Sequence, residues 1–486
     1  MLKPEDVKIL DINSSFWGVE TQTLMENAGK AVYKLFKEKY GSGKNVLVVC
    51  GPGNNGGDGL VAARLLSKEN SVKVFLLKEP RTTEAKVAYN RLITEGKAEV
   101  IVGDLEGLKS VVEWSDVIID AIFGIGVHGT RVKEPYRTAI EVINRSNKDI
   151  ISIDYPSGIQ GDVIITPTYV VTFHDLKEGL LEVAEKIRIA DIGIPEEAET
   201  FAGPGDIYVY YPRPDKSTHK GQRGRVLVID AATFIGAIVL SALSAYRVGV
   251  DLVYIYTYFN SEKPLRKVCY ISYSPSIVVV DDLELFYSRS DAVLIGPGMD
   301  REIGLFDVIK PLVDVISENK NIPVILDAGG LTLLKEYRDD LTDADIIVTP
   351  HAGEFKYLFG YSPGNTLQER IENAQRAARS WDITVVLKGP VDVITDGKRI
   401  KLNTTGCPAM AVGGSGDVLS GVITGIRARI KDSFKAAYMG AFITGLAGEY
   451  AYKRLGYGIT PEDILTEVPI VLKECLENPT SVRRVV

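Results

Sequence analysis

Val46-Leu47-Val48-Val49-Cys50-Gly51-Pro52-Gly53-Asn54-Asn55-Gly56-Gly57-Asp58-Gly59-Leu60-Val61-Ala62-Ala63 is the stretch whose reading decides the fold. Residues 46–50 are apolar and mostly β-branched, the pattern of a strand buried on both faces. A glycine-rich loop follows, and residues 60–66 read as the start of a helix. Strand, loop and helix in that order form the repeating unit of a parallel α/β sheet. The loop sits at the carboxyl end of its strand, where such sheets hold their ligands. Bare backbone N–H groups and a helix N-terminus there favour an anion.

The same alternation runs along the chain. Strand-like runs recur at residues 72–77, 117–120 and 150–154, and again at 226–230, 252–256, 293–295, 324–327, 346–349 and 385–388. From Gly416 onward the pattern is helical. The break falls at Tyr210-Tyr211-Pro212-Arg213-Pro214-Asp215-Lys216-Ser217-Thr218-His219-Lys220-Gly221, where two prolines and a polar cluster suggest a linker. The expected domains are therefore 1–212 and 213–486. A length of 486 residues also favours two cores over one.

Composition narrows the function. The net charge of −8 argues against broad binding to nucleic acid or an anionic membrane. No apolar run is long enough to span a bilayer, and the first residues lack the layout of a signal peptide. Cys50, Cys269, Cys407 and Cys475 are scattered without metal or disulfide spacing, so a cytoplasmic setting is expected.

Three strand ends in the first half carry polar groups. Asp120 runs into Ala121-Ile122-Phe123-Gly124, and Asp154 into Tyr155-Pro156-Ser157-Gly158. In a parallel sheet these ends share one edge, so Asn55, Asp120, Asp154 and Ser157 are expected to converge. Such oxygen donors suit a hard cation. Each aspartate taken alone also fits a helix cap.

The second half carries Gly413-Gly414-Ser415-Gly416-Asp417-Val418-Leu419-Ser420-Gly421 at the head of a helical run. Its amides suit a phosphoryl group, and Asp417 is placed to take a proton from an attacking hydroxyl. A glycine C-cap followed by an N-cap aspartate is the bland alternative. His351 follows another strand end and fits either a ligand contact or a structural role. Lys388 fits either a phosphate contact or a surface salt bridge.

Leu24-Met25-Glu26-Asn27-Ala28-Gly29, the residue 51–59 loop, Asp120-Ala121-Ile122-Phe123-Gly124 and Asp154-Tyr155-Pro156-Ser157-Gly158 together resemble the NAD(P)H-hydrate epimerase domain. The resemblance implies a Rossmann-like three-layer αβα fold. It implies that Asn54, Asn55, Gly56, Gly57, Asp58 and the run Gly124, Ile125, Gly126, Val127, His128, Gly129 and Thr130 hold the hydrated nucleotide. It implies that Asn55, Asp120 and Ser157 bind K+, and it sets Asp154 beside the hydrated ring as acid/base group.

Residues 413–421, Thr349-Pro350-His351-Ala352-Gly353-Glu354, Leu387-Lys388-Gly389 and Gly296-Pro297-Gly298 resemble the ribokinase-like superfamily, and within it the ADP/ATP-dependent NAD(P)H-hydrate dehydratases. That resemblance implies that Lys388, Gly389, Pro390, Val391, Asp392 and Gly416 hold the adenine nucleotide, with Mg2+ as its companion. It implies that Ala237, Gly298, His351 and Asp417 face the hydrate, with Asp417 catalytic. Two loops depart from the pattern. Asp230-Ala231-Ala232-Thr233 replaces a Gly-Gly-Ser turn, and Asp327-Ala328-Gly329-Gly330 replaces Asp-Ala-Asp-Ala, removing a carboxylate.

The two resemblances imply a bifunctional enzyme. It would epimerise NADHX and NADPHX and dehydrate one epimer with ADP or ATP, ADP being the expected donor, in a homo-oligomer with neither nucleic-acid nor membrane partners. A small-molecule kinase in the second half, or a non-catalytic nucleotide-binding first half, are the competing readings.

Overall fold

The computed structural model describes residues 1–103, 105–124, 131–258, 261–300 and 306–485. They form two compact units, Met1–Glu196 and Glu197–Val486. The division thus falls before the expected 212/213. Phe201 bridges Leu402, Lys401 Nζ donates to the Glu199 carbonyl at 2.6 Å, and the Tyr211 hydroxyl donates to the Val248 carbonyl. These bonds tie residues 197–212 to the second core, so the proline-rich stretch lies inside that unit.

The first unit is built on strands β1 (Asn45–Cys50), β2 (Ser71–Leu76), β3 (Glu99–Val102), β4 (Val117–Ala121), β5 (Asp149–Ile153), β6 (Tyr169–Phe173) and β7 (Ile187–Ala190). Their order is β3-β2-β1-β4-β5-β6-β7, with every pair parallel. Val46, Val48 and Cys50 enter one apolar cluster, while Leu47 and Val49 enter the other. Burial on both faces is why β1 reads as an unbroken apolar run. Helices Thr21–Tyr40 and Asn54–Leu66 cover the first face; Leu105–Trp114 and Tyr136–Asn144 cover the second.

The second unit contains β8 (Arg225–Asp230), β9 (Leu252–Thr257), β10 (Val278–Val280), β11 (Ala292–Ile295), β12 (Val324–Leu326), β13 (Ile346–Val348), β14 (Thr384–Leu387), β15 (Asp392–Thr395) and β16 (Ile400–Asn403). The order is β10-β9-β8-β11-β12-β13-β14-β15-β16, parallel as far as β14 and antiparallel beyond. Helices Ser415–Arg427, Ser433–Leu455 and Pro461–Glu477 form the expected helical end. Both units are α/β with parallel sheets, as the alternation requires.

Strand order reverses between β1 and β4 in the first sheet and between β8 and β11 in the second. Loops leaving neighbouring strands diverge at such a reversal and open a crevice at the carboxyl edge. Each sheet therefore offers one such position for a ligand. Among the described residues, no helix is long and apolar enough to cross a membrane.

Candidate active sites

At the first reversal, β1 leads through residues 51–53 into helix Asn54–Leu66. Gly51-Pro52-Gly53-Asn54-Asn55-Gly56 also spells G-x-G-x-x-G at this strand-to-helix turn, the spacing of a dinucleotide loop. A Cβ on Gly56 would lie 1.9 Å from the Gly51 carbonyl oxygen, so only glycine lets the loop fold this tightly.

β4 delivers Asp120 to the same edge. Its carboxylate is fully buried and accepts hydrogen bonds from Ser157 Oγ at 2.5 Å, Ser157 N at 2.9 Å and Ser152 Oγ at 2.8 Å. Burial pushes its pKa up against those bonds. The Phe123 amide donates to Ser157 Oγ at 2.9 Å. A Cβ on the next residue, Gly124, would stand 3.5 Å from Asn55 Oδ1. Asp120 and Ser157 are thus bonded to each other, and Asn55 lies beside Gly124, one residue on from the amide that Ser157 accepts. Asn55 is 8% exposed, and among the described residues neither atom of its side-chain amide has a hydrogen-bond partner. An unsatisfied buried amide costs about 1–3 kcal/mol unless something fills the gap.

Asp154, just past β5, sits in the left-handed region at φ 65°, a conformation rare for a residue with a Cβ. Its Oδ1 accepts from Lys177 Nζ and, at 3.5 Å, from Thr172 Oγ1. Lys177 lies in the loop after β6 and is 2% exposed. Two further carboxyls feel this pair. Burial, then the charges of Asp154 and Asp11, raise Asp58 well above the usual carboxylate range. Asp11, in helix Pro4–Phe16, rises to about 6 through burial first and then through Asp154, against Lys8 and Lys177. Sequence reasoning passed over Lys177 and Asp11. The available signal for Lys177 was a strand end at Phe173, in a strand the apolar pattern did not reveal.

The expected contacts at Ile125, Gly126, Val127, His128, Gly129 and Thr130 lie outside the described residues. A cavity of about 280 Å³ is lined by Phe123, Gly124, Arg131, Lys133, Tyr136 and Gly158. Arg131 and Lys133 supply positive charge suited to an anionic ligand.

At the second reversal, four adjacent strands end side by side. Gly296 follows β11, Asp327 follows β12, Thr349 follows β13 and Lys388 follows β14. Lys388 Nζ lies 3.2 Å from Asp327 Oδ1 and 3.8 Å from Glu354 Oε2, and Thr349 Oγ1 donates to Asp327 Oδ1 at 2.7 Å. Burial works against the Lys388 charge, but Asp327 and Glu354 outweigh it and raise its pKa. Helix Ser415–Arg427 points its N-terminus at this group. A Cβ on Gly416 would lie 3.6 Å from Lys388 Nζ and 3.9 Å from Asp327 Oδ2. Asp417 is half-buried, and its carboxyl rises to about 6 through burial first and then the Asp327 charge, against Lys388. That value suits a general base near neutral pH. Ser241 Oγ donates to the Asp417 carbonyl at 3.1 Å, pinning the helix start.

The other expected residues fare unequally. Gly298 adjoins Ala237, since a Cβ on Gly298 would lie 3.0 Å from Ala237 Cβ. His351 caps helix Ala352–Phe359, its Nδ1 accepting from the Gly353 and Glu354 amides at 3.0 and 3.2 Å. The Asp392 carboxylate braces its own loop, accepting from Gly389 N and Asn403 Nδ2, both at 3.0 Å. Gly389 and Pro390 are exposed at the rim.

Both departures acquire a physical reason. Asp230 is fully buried and pairs with Arg266 Nη1 at 2.9 Å and with the Tyr270 hydroxyl at 2.5 Å, while Arg266 Nη1 also donates to the Ala232 carbonyl at 3.1 Å. An ion pair therefore braces the turn. At Gly329 a Cβ would lie 2.5 Å from the Met299 carbonyl oxygen, so this loop has no room for the missing aspartate.

Both halves of the chain match known families. Residues 21–179 match the YjeF-related protein N-terminus, and residues 226–470 match the NAD(P)H-hydrate dehydratase family. The bifunctional NAD(P)H-hydrate repair enzyme of Hyperthermus butylicus is 38% identical, over 98% of this chain and 92% of its own. That of Methanothermobacter thermautotrophicus is 37% identical, over 97% and 95%. A crystal structure of the ADP/ATP-dependent NAD(P)H-hydrate dehydratase of Bacillus subtilis with ATP and Mg2+ is 26% identical, with a TM-score of 0.50 over 57% of this chain and 98% of that one. A ribokinase-like protein of Enterococcus faecalis, 24% identical with a TM-score of 0.50 over 57% and 96%, shares the fold. Two matched domains and near full-length identity to both relatives carry one conclusion: the chain belongs to the family of bifunctional NAD(P)H-hydrate repair enzymes.

Proposed function

We propose that the protein repairs hydrated nicotinamide nucleotides in two steps. The first unit interconverts the epimers of NADHX and NADPHX at the hydroxylated ring carbon. The second dehydrates one epimer, using ADP or ATP. The observation that carries this reading is a polar site at the strand-order reversal of each sheet, in one chain whose curated relatives are bifunctional.

In the first unit, Asp154 takes the proton of the ring hydroxyl as the ring C–N bond opens to an aldehyde, and returns it when the ring closes on the other face. The amides of residues 54–58, Gly124 and the loop beyond it hold the nucleotide. Asn55, Asp120 and Ser157 would hold K+, a fit supported by an Asn55 amide unpartnered among the described residues and by the bonded oxygens of Asp120 and Ser157 at the same sheet edge. Bound there, K+ would supply positive charge near the nucleotide's phosphates. Exchanging K+ for tetramethylammonium is expected to slow epimerisation, with full recovery when K+ returns. A rate indifferent to the exchange removes potassium from this reading.

In the second unit, Asp417 takes the hydroxyl proton as that oxygen attacks the terminal phosphoryl group, and AMP (or ADP) leaves. Phosphate then departs with its C–O bonding pair, a proton leaves the neighbouring ring carbon, and the double bond re-forms. Lys388, Gly416 and residues 389–392 hold the nucleotide, while Gly298, Ala237 and His351 face the hydrate. Among the described residues, no three His, Cys, Asp or Glu side chains converge as a metal cage. A Mg2+ held mainly by nucleotide phosphates needs only one or two carboxylates, and Asp327 and Glu354 lie beside Lys388. Mg2+ there would neutralise charge on the transferring phosphoryl group.

The deciding experiment incubates mixed NADHX epimers with ADP or ATP. Complete recovery of NADH absorbance supports both activities; half recovery leaves dehydration alone. A stable phosphorylated product would favour a kinase.

Homo-oligomerisation belongs to the same reading. Leu265, Val268 and Ile271 are exposed at helical spacing on Lys263–Tyr273, and an apolar stripe of this kind favours a protein partner. Light scattering is expected to return a multiple of the chain mass; the mass of one chain counts against it.

A further inference from the structure

We propose that Lys177 is a positioning residue of the epimerase site, whose buried ammonium holds the Asp154 carboxylate in place for proton transfer. This rests on the epimerase reading of the first unit and adds a residue to it.

Lysine is almost never fully buried unless paired. Lys177 is 2% exposed, and an ammonium has three N–H donors. All have partners within the protein: Asp154 Oδ1, Thr172 Oγ1 at 3.0 Å and the Phe173 carbonyl at 3.3 Å. The rings of Phe173 and Tyr155 stand 5.6 and 6.0 Å from Nζ and close the space around it. The backbone is pinned as well. Leu2 N donates to the Leu176 carbonyl and Glu178 N to the Leu2 carbonyl, at 2.9 and 3.0 Å. A lysine with its donors engaged and its backbone held is not arranged to meet a substrate phosphate. It is arranged to fix one carboxylate oxygen.

The other oxygen differs. Asp154 Oδ1 takes the bonds from Lys177 and Thr172, whereas Oδ2 takes no hydrogen bond among the described residues. The left-handed backbone at Asp154 turns this side chain at the end of β5, a conformation unfavourable for a residue with a Cβ. A buried ion pair is seldom a net source of stability, and a hydrophobic pair of similar volume often does as well. Here the pair is joined to an aspartate in a strained conformation, at the same carboxyl edge of the sheet as Asn55. Burial first, and the Asp154 charge after it, raise the neighbouring carboxyls of Asp58 and Asp11, and Lys177 works against that rise.

The test uses the full chain with mixed NADHX epimers, ADP, Mg2+ and K+. Wild type should give a fast phase for the epimer the dehydratase accepts and a second phase limited by epimerisation. Lys177→Met should leave the first phase unchanged and lower kcat of the second about 100-fold, with KM little changed, as expected when a reacting group is misplaced by about 1 Å. Added to Asp154→Asn, it should cause no further loss. Wild-type kcat in Lys177→Met, or a full additional loss on top of Asp154→Asn, overturns the proposal. If Lys177→Met loses the fold by circular dichroism, Lys177→Arg decides. It keeps the charge with a different donor geometry, and a folded variant with wild-type kcat also overturns the proposal. A wild-type protein with no second phase refutes the epimerase reading itself and is distinguishable from all of these.

Discussion

Asp417→Asn is expected to lower kcat for ADP-dependent recovery of NADH by about 10³- to 10⁴-fold, while nucleotide binding survives. Asparagine keeps the shape of the helix start and cannot take the hydroxyl proton. On the proposed reading Gly416 and Lys388 still hold the nucleotide, so the loss should fall on kcat rather than on the Kd for ADP. The wild-type pH profile provides an independent check. Asp417 must be ionised to act as base, and burial with the Asp327 charge sets its carboxyl at about 6. The rate should therefore be flat above that value and fall about tenfold per pH unit below it. Stopped-flow absorbance over pH 4.5–8 reads both results. A variant retaining a tenth of wild-type kcat would remove Asp417 from the base role.

The second large effect is expected at Asp154. Asp154→Asn should slow epimerisation by about 10²- to 10⁴-fold and leave the dehydratase at wild-type rate. Mixed epimers with excess ADP would then stop near half conversion, and the remaining hydrate would recover only at its spontaneous rate. The asparagine Oδ1 can still accept from Lys177 and Thr172, so the fold of the β5 end should persist. Complete conversion at the wild-type rate would move the chemistry elsewhere, with Asp58 next in line because burial and the Asp154 charge hold its proton.

The two sites were not equally legible in the sequence. Asp417 and the glycines before it are contiguous, so one short motif specifies the helix start and carries the proposed amide cradle and base together. Asn55, Asp120 and Ser157 are scattered, yet each follows an apolar strand, and parallel strands joined by right-handed crossovers put those ends on one edge. Lys177 had no such marker. It stands 23 residues from Asp154, and the pair meets only because β5 pairs with β6 through Ile153 and Val171. β6 is short, and its Tyr169–Phe173 run lacks the apolar length of β1. β3, β7, β10, β15 and β16 escaped notice for a related reason: each has three or four residues, and most carry exposed or half-buried positions. His351 and Asp392 carry local roles that their motifs did not reveal. Both lie at expected ligand loops, and both turn at least part of their polar chemistry inward, one to cap a helix and one to brace a turn.

What the sequence alone determined is therefore the class of fold, the presence of two sites and the groups carried by contiguous motifs. Buried strands and glycine turns are local consequences of side-chain shape and backbone freedom. The tertiary structure decided the domain edge at Glu196/Glu197, the brace of Arg266 on Asp230, and the partnership of Lys177 with Asp154. Each depends on which distant segments lie side by side. A charge buried between two strands takes its role from its neighbours across the sheet, and those neighbours are set only when the whole chain has packed.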